Sequence, residues 1–237
     1  MKTRIIQFEP EPAPDPGPAS SAGVETRVAD ERETWLRRGF LFLAVAGYVV
    51  LGVLHPFEIE VGDETTLYLA LHLVQPLLIL MLAWGIWLLV KDLPGRAAQV
   101  ARIAIVPYAI VYSMLDGIAG VALGQAVREA NGMSTADAAA VRRMLDGGGD
   151  ADIIGAVIYV ASGLTWFAMA LAAALAVKQI GGLGPTLLMA IGAAIFAVGH
   201  PFPPGPTGIA LFGVGVAWLE LRRDTAKAPE AQPVPAP

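Results

Sequence analysis

Three histidines and one acid are the residues of this chain whose chemistry stands out, because His55, His72, His200 and Asp116 lie within or at the ends of long apolar runs. An ionisable group held in a bilayer costs about 2.5–3.5 kcal/mol on insertion scales, so it usually faces the bundle interior or water and has a partner. Imidazole and carboxylate together suit proton exchange near neutral pH. His72 and Asp116 are therefore expected to form one hydrogen-bonded pair, and Gln75, Tyr112, His55 and His200 are further candidates for the same pocket. Imidazoles also ligate metals, and His55, His72 and His200 are the candidate ligands for a divalent ion. Such a site needs ligand atoms converging within about 2.1 Å of the ion and a second shell that holds the rings. No HExxH or HxxxH spacing is present to supply that locally.

Plainer explanations stand beside these. His55 and His200 each precede a proline, which disfavours α geometry at the residue before it and so ends a helix. An imidazolium at a helix C-terminus is also favoured, by up to about 2 kcal/mol. For His72, a neutral ring bonded to a nearby carbonyl or to Gln75 suffices. Asp116 is the hardest to explain without a partner, though it would also serve simply to hold helices together.

The elements that must position these groups are apolar helices. Of the residues, 55% are apolar and only 16% charged, with the charges gathered in the tails and connections, which is the pattern of a lipid-solvated chain. A bilayer core of about 30 Å needs about 20 apolar residues, with every backbone polar group bonded within the segment. Six such runs predict helices over 36–54, 66–90, 102–124, 152–177, 183–199 and 206–221. A soluble bundle would alternate polar and apolar faces; LYLALHLVQPLLILMLAWGIWLLV is apolar nearly all round. The fold class expected is thus an all-α bundle of about six transmembrane helices over 35–223, with disordered tails over 1–34 and 224–237. Both tails are rich in proline and acidic or small residues, too poor in apolar surface to offset the entropy of ordering. No basic segment with a short apolar stretch follows Met1, so the first membrane helix is expected to act as its own uncleaved insertion signal.

Orientation follows from Lys and Arg in the short flanks. Arg37, Arg38, Lys91, Arg96, Arg102, Lys178, Arg222 and Arg223 fall on one side, and Glu58, Glu60, Asp63, Glu64, Asp150 and Asp152 on the other, where Arg128, Arg142 and Arg143 are confined to the one longer loop. Both termini are expected in the cytoplasm, with the histidines in the outer half. The lipid bilayer is one partner, and another membrane protein or a second copy of the chain would be a compatible one. Nucleic acid is dropped, since a net charge of −5 supplies no basic stripe. The absence of cysteine excludes disulfides, thiolate metal sites and cysteine nucleophiles. No phosphate-binding loop, dinucleotide fingerprint or nucleophile elbow occurs, and no cofactor is indicated beyond the divalent metal considered above.

Smaller features remain. GYVVLGVLHPF and GAAIFAVGHPF resemble each other and would suit a parallel repeat of helix pairs, or two apolar runs stopped alike by proline. Gly117, Gly120 and Gly124 permit close helix contact, and Ser134 to Asp137 opens a short amphipathic helix in the longest loop. Trp84, Trp87, Trp166 and Trp218 fit lipid-facing or interfacial anchors.

The combination LHPF, HLVQP, SMLDGIAG and HPFPPGPTG resembles small, uncharacterised multi-pass proteins of actinobacterial type. The resemblance implies a bacterial plasma-membrane location and carries over no activity or catalytic residue. The functional expectation is a small transport or sensing protein with an outward-facing His/Asp pocket. An outward-facing metal-dependent membrane enzyme and a structural subunit of a membrane complex are the alternatives.

Overall fold

The computed structural model describes residues 21–56, 59–145, 150–200 and 204–227. Every regular element among them is helical: α1 (Ser21–Leu54), α2 (Thr66–Val90), α3 (Arg96–Leu115), a π-helical segment (Asp116–Ala122), α4 (Leu123–Ala130), α5 (Thr135–Leu145), α6 (Asp150–Gly181), α7 (Leu183–Gly199) and α8 (Gly205–Lys227). The chain divides into two units, Met1–Trp35 and Leu36–Pro237. The described part of the first is the opening of α1; the second contains the bundle.

Residues 21–34, expected within a disordered tail, are helical, and α8 runs on to Lys227, into the residues expected to form the second tail. Residues 1–20 and 228–237 lie outside the described residues. The third expected helix is longer than 102–124: α3, the π segment and α4 run without a break from Arg96 to Ala130.

Among the described residues, four helices are long and apolar enough to cross a membrane, namely Asp30–Leu54, Thr66–Val90, Arg96–Ala130 and Gly155–Gly181. The expected six is thereby corrected to four on this criterion. α7 is apolar but has only 17 residues, short of the roughly 20 that span the hydrocarbon. In α8 the apolar stretch is diluted by the Gly205-Pro206-Thr207-Gly208 start and interrupted by Glu220 and Arg222.

The long helices are apolar on both faces. On α2, Leu69, Ile79, Leu82 and Ile86 are buried, while Leu73, Leu77, Leu80 and Trp84 are exposed. Exposed leucines at that density are expected of helices solvated by lipid chains. Among the tryptophans, Trp84, Trp87 and Trp218 are exposed as anchors would be, but Trp166 is fully buried, donating from Nε1 to the Ala193 carbonyl at 2.9 Å. That reading of Trp166 is corrected: its indole N–H finds a backbone partner in the core, which removes the cost of burying it.

With no hydrophobic force between helices in lipid, close approach depends on small residues. α7 and α8 meet backbone to backbone: a Cβ on Gly192 would lie 2.4 Å from the Phe212 nitrogen, and one on Gly208 would lie 2.4 Å from the Phe196 nitrogen. Gly163 sets α6 against α7 in the same way, 2.8 Å from the Ala197 carbonyl oxygen.

Alternating helix directions gather the polar groups at two ends. At one end, Arg102 donates to the carbonyls of Val90, Lys91 and Leu93, closing the turn from α2 to α3. There too, Arg37 makes a bidentate pair with Glu220 at 3.0 and 2.8 Å, and Arg38 and Arg223 donate to the same carboxylate. The histidines lie at the opposite end.

Candidate functional site: a buried histidine and aspartate cluster

His55 follows the last turn of α1, and His72 lies six residues into α2, about 9 Å along its axis. α1 and α2 are antiparallel neighbours, with Gly47 against Leu78 and Gly85 against Leu41, and so the two rings come together. Their Nε2 atoms are 3.3 Å apart, with the ring planes at 76°. Each Nδ1 faces a backbone carbonyl: His55 that of Pro56 at 2.6 Å, His72 that of Tyr68 at 2.8 Å.

Asp116 opens the π-helical segment, a wider turn often found at functional sites. Its carboxylate is buried, 3% exposed, and neither oxygen has a hydrogen-bond partner. Its Oδ1 lies 3.9 Å from His72 Nε2. The hydrogen bond expected between these two side chains is thus not formed; they stand at ion-pair distance, and His72 spends its Nδ1 on Tyr68. The π turn also brings Gly120 against the imidazole, where a Cβ would sit 2.0 Å from His72 Cδ2. Only a glycine lets the ring lie there. Gly124, one turn on, admits Tyr68 and Leu69, while Gly117 has nothing within 4 Å.

The remaining candidates form an adjoining layer. Gln75, one turn beyond His72, turns to His200, with Nε2 atoms 3.4 Å apart. His200 ends α7 in extended geometry, ψ 141°, as the following proline requires. Its ring lies edge-on to Tyr112 at 4.9 Å and near Phe196 at 4.7 Å. α2 thus offers His72 to one His-Pro helix end and Gln75 to the other. A cavity of about 10 Å³ between Tyr48, Leu51, His55, Gln75 and His200 has room for one water and for no organic solute. Below it the bundle turns aromatic and then aliphatic: Tyr108, Trp166, Phe196 and Phe212 are packed together. Among the described residues, no charged side chain is buried between this layer and the Arg37–Glu220 pair.

Among the described residues no group of three or more His, Cys, Asp or Glu side chains is placed to hold a metal ion. His55, His72 and His200 do not form one ligand set, because His200 is turned to Gln75 instead of to the other two.

Sequence reasoning missed Tyr48, Tyr68 and Tyr159. Tyr68 donates to the Ala119 carbonyl at 2.6 Å and packs its ring 4.2 Å from His72; Tyr159 donates to the His200 carbonyl at 2.8 Å. Tyr68 precedes His72 by four residues and Tyr48 precedes His55 by seven, spacings that put each pair on one helix face and were visible in the sequence.

Over this end, Asn131 Oδ1 accepts from the Gly62 N–H at 2.6 Å and its Nδ2 donates to the Asp63 carbonyl at 2.9 Å. Arg142 of α5 donates to the Val61 carbonyl. The connection from α1 to α2 is thereby tied to α4 and α5, beside an open groove lined by Asp63, Glu64, Met133 and Ala138. The α5 start carries the expected cap, with the Asp137 N–H donating to Ser134 Oγ.

Comparison of the chain with models of protein families, with curated proteins and with solved structures finds no match. What sequence and structure together establish is a multi-pass, all-α membrane protein without a recognisable family.

Proposed function

We propose that the protein senses protons at the outer face of a bacterial plasma membrane through the cluster of His55, His72 and Asp116. The observation that carries this reading is the Asp116 carboxylate, buried without a hydrogen-bond partner and 3.9 Å from an imidazole that touches a second imidazole. A buried acid is costly and is usually kept for a function, proton handling foremost. Between transport and sensing, the packed layer of Tyr108, Trp166, Phe196 and Phe212 favours sensing, since among the described residues no charged side chain is buried between the cluster and the arginine end. The output would be the loop from α1 to α2, which begins at His55 and is tied to α4 and α5 through Asn131 and Arg142.

In the protein reconstituted in liposomes, amide exchange of residues 59–66, corrected for the intrinsic effect of pH, is expected to change between pH 5 and 8. Asp116→Asn is expected to abolish the change. A pH dye trapped in the same liposomes should report no proton flux; protein-dependent flux would replace sensing by transport, and an exchange rate indifferent to pH would end both.

The outward placement of the histidine end rests on the Lys and Arg residues at the other end. It predicts that Met133→Cys reacts with a membrane-impermeant thiol reagent on intact cells and Asp92→Cys does not, against a background free of native cysteine. Both positions are exposed and avoid Gly62 and Gly95, whose positive φ values of 111° and 96° would strain any side chain. The reverse labelling pattern would put the cluster on the cytoplasmic side.

A further inference from the structure

We infer that His55 and His72 bind one proton between their Nε2 atoms, with Asp116 as its counter-charge, so that the site is electrically neutral when occupied. The inference rests on the proton-sensing reading and specifies what that site holds.

A carbonyl oxygen can only accept. The contacts to Pro56 and Tyr68 therefore fix a proton on Nδ1 of both rings. A neutral imidazole protonated at Nδ1 presents a lone pair at Nε2. Two neutral rings would thus point two lone pairs at each other across 3.3 Å. One added proton turns the clash into an N–H···N hydrogen bond and gives the pair a charge of +1. The carboxylate 3.9 Å from His72 Nε2 balances that charge.

The same proton has a second place to reside, on Asp116. There it would form a buried O–H without an acceptor, since neither carboxyl oxygen has a partner within hydrogen-bond distance, and the facing lone pairs would persist. Moving it from the acid oxygen to Nε2 breaks one O–H bond and forms one N–H bond, turns the facing lone pairs into a hydrogen bond and leaves the carboxylate at ion-pair distance from the new charge. The attraction between the shared cation and the carboxylate 3.9 Å away opposes the cost of leaving that carboxylate without a hydrogen bond.

Among the described residues, the other titratable groups around the pair are engaged elsewhere. The Tyr68 hydroxyl donates to the Ala119 carbonyl. Tyr48 is paired with Tyr108, Tyr112 packs on His200, and His200 faces Gln75. Among the described residues no lysine or arginine pairs with Asp116.

The test is nitrogen NMR of the full-length protein, labelled with ¹⁵N-histidine, in lipid nanodiscs treated with a chelator. Only three histidines contribute. At neutral pH the expected result is a nitrogen–nitrogen coupling between His55 and His72 Nε2, with both Nδ1 protonated. Asp116→Asn should lose the coupling while the His200 signals, which report the fold, stay in place. Two neutral rings beside a protonated Asp116 carboxyl would overturn the inference, as would a coupling present only before chelation, which would put a metal ion in the gap. If the coupling is found but loop exchange ignores pH, the proton site stands and the sensing role falls. If exchange responds without the coupling, the shared proton falls and sensing stands.

Discussion

Glu220→Ala is expected to destabilise the folded bundle by about 3–5 kcal/mol, the cost of breaking a buried ion pair from one side. The Glu220 carboxylate accepts from Arg37, Arg38 and Arg223, and the Arg37 and Glu220 side chains are 10% and 4% exposed. Its removal leaves three guanidinium groups facing one another, with Asp224 at the edge. Asp224→Ala serves as the contrast: that carboxylate is 54% exposed and bonds to Arg38 alone, so its loss should cost no more than about 1 kcal/mol. Replacing both partners, Arg37→Met with Glu220→Leu, should recover part of the loss, because the most buried guanidinium is removed with its carboxylate while the less buried Arg38 and Arg223 remain. Unfolding in detergent followed by tryptophan fluorescence gives all of these values. Equal effects of Glu220→Ala and Asp224→Ala would show that the buried pair does not tie α1 to α8.

Gly120→Ala is expected to lower stability and Gly117→Ala to leave it unchanged or raise it, although both lie in the same π turn. A methyl on Gly120 would overlap the His72 ring, with Cδ2 at 2.0 Å and Nε2 at 2.8 Å. The ring cannot swing away without giving up the Tyr68 carbonyl or His55. Overpacking of this kind costs about 1–3 kcal/mol, and the broken hydrogen bond adds roughly another 1. At Gly117 nothing lies within 4 Å, and alanine there should be neutral or stabilising by up to about 1 kcal/mol through lower backbone entropy. The same unfolding assay measures both; a Gly120→Ala protein as stable as the parent would mean that the ring does not rest on the π turn.

How far the sequence spoke depends on whether a feature was local. α2 and α7 occupy the residues at which their apolar runs begin and end, because hydropathy and the flanking Thr65, Lys91, Gly182 and His200 are written in consecutive positions. The chemistry was legible as residue types: His72, Asp116, His55, His200, Gln75 and Tyr112 do lie near one another. Their pairing was not. Asp116 looked like the partner of His72 because both sit at similar depth, yet the sequence holds no sign of the π turn that sets the carboxylate 3.9 Å away and slides Gly120 under the ring. Likewise Arg37 and Glu220 are 183 residues apart, and only the closed bundle shows that one charge answers the other. The membrane-crossing count of four departs from six for a different reason: apolar character identified α7 and α8, but length in one and charge in the other separate them from the spanning helices.

The shortness of α7 reaches into the lipid. Its 17 residues rise about 26 Å, some 4 Å less than an average hydrocarbon core, and the backbone contacts at Gly192 and Gly208 leave it little freedom to slide along α8. Were α7 to cross the bilayer, the acyl chains beside it would have to compress to meet its ends, at a cost that grows with every ångström of mismatch, and thin, short-chain bilayers would suit the molecule better than thick ones.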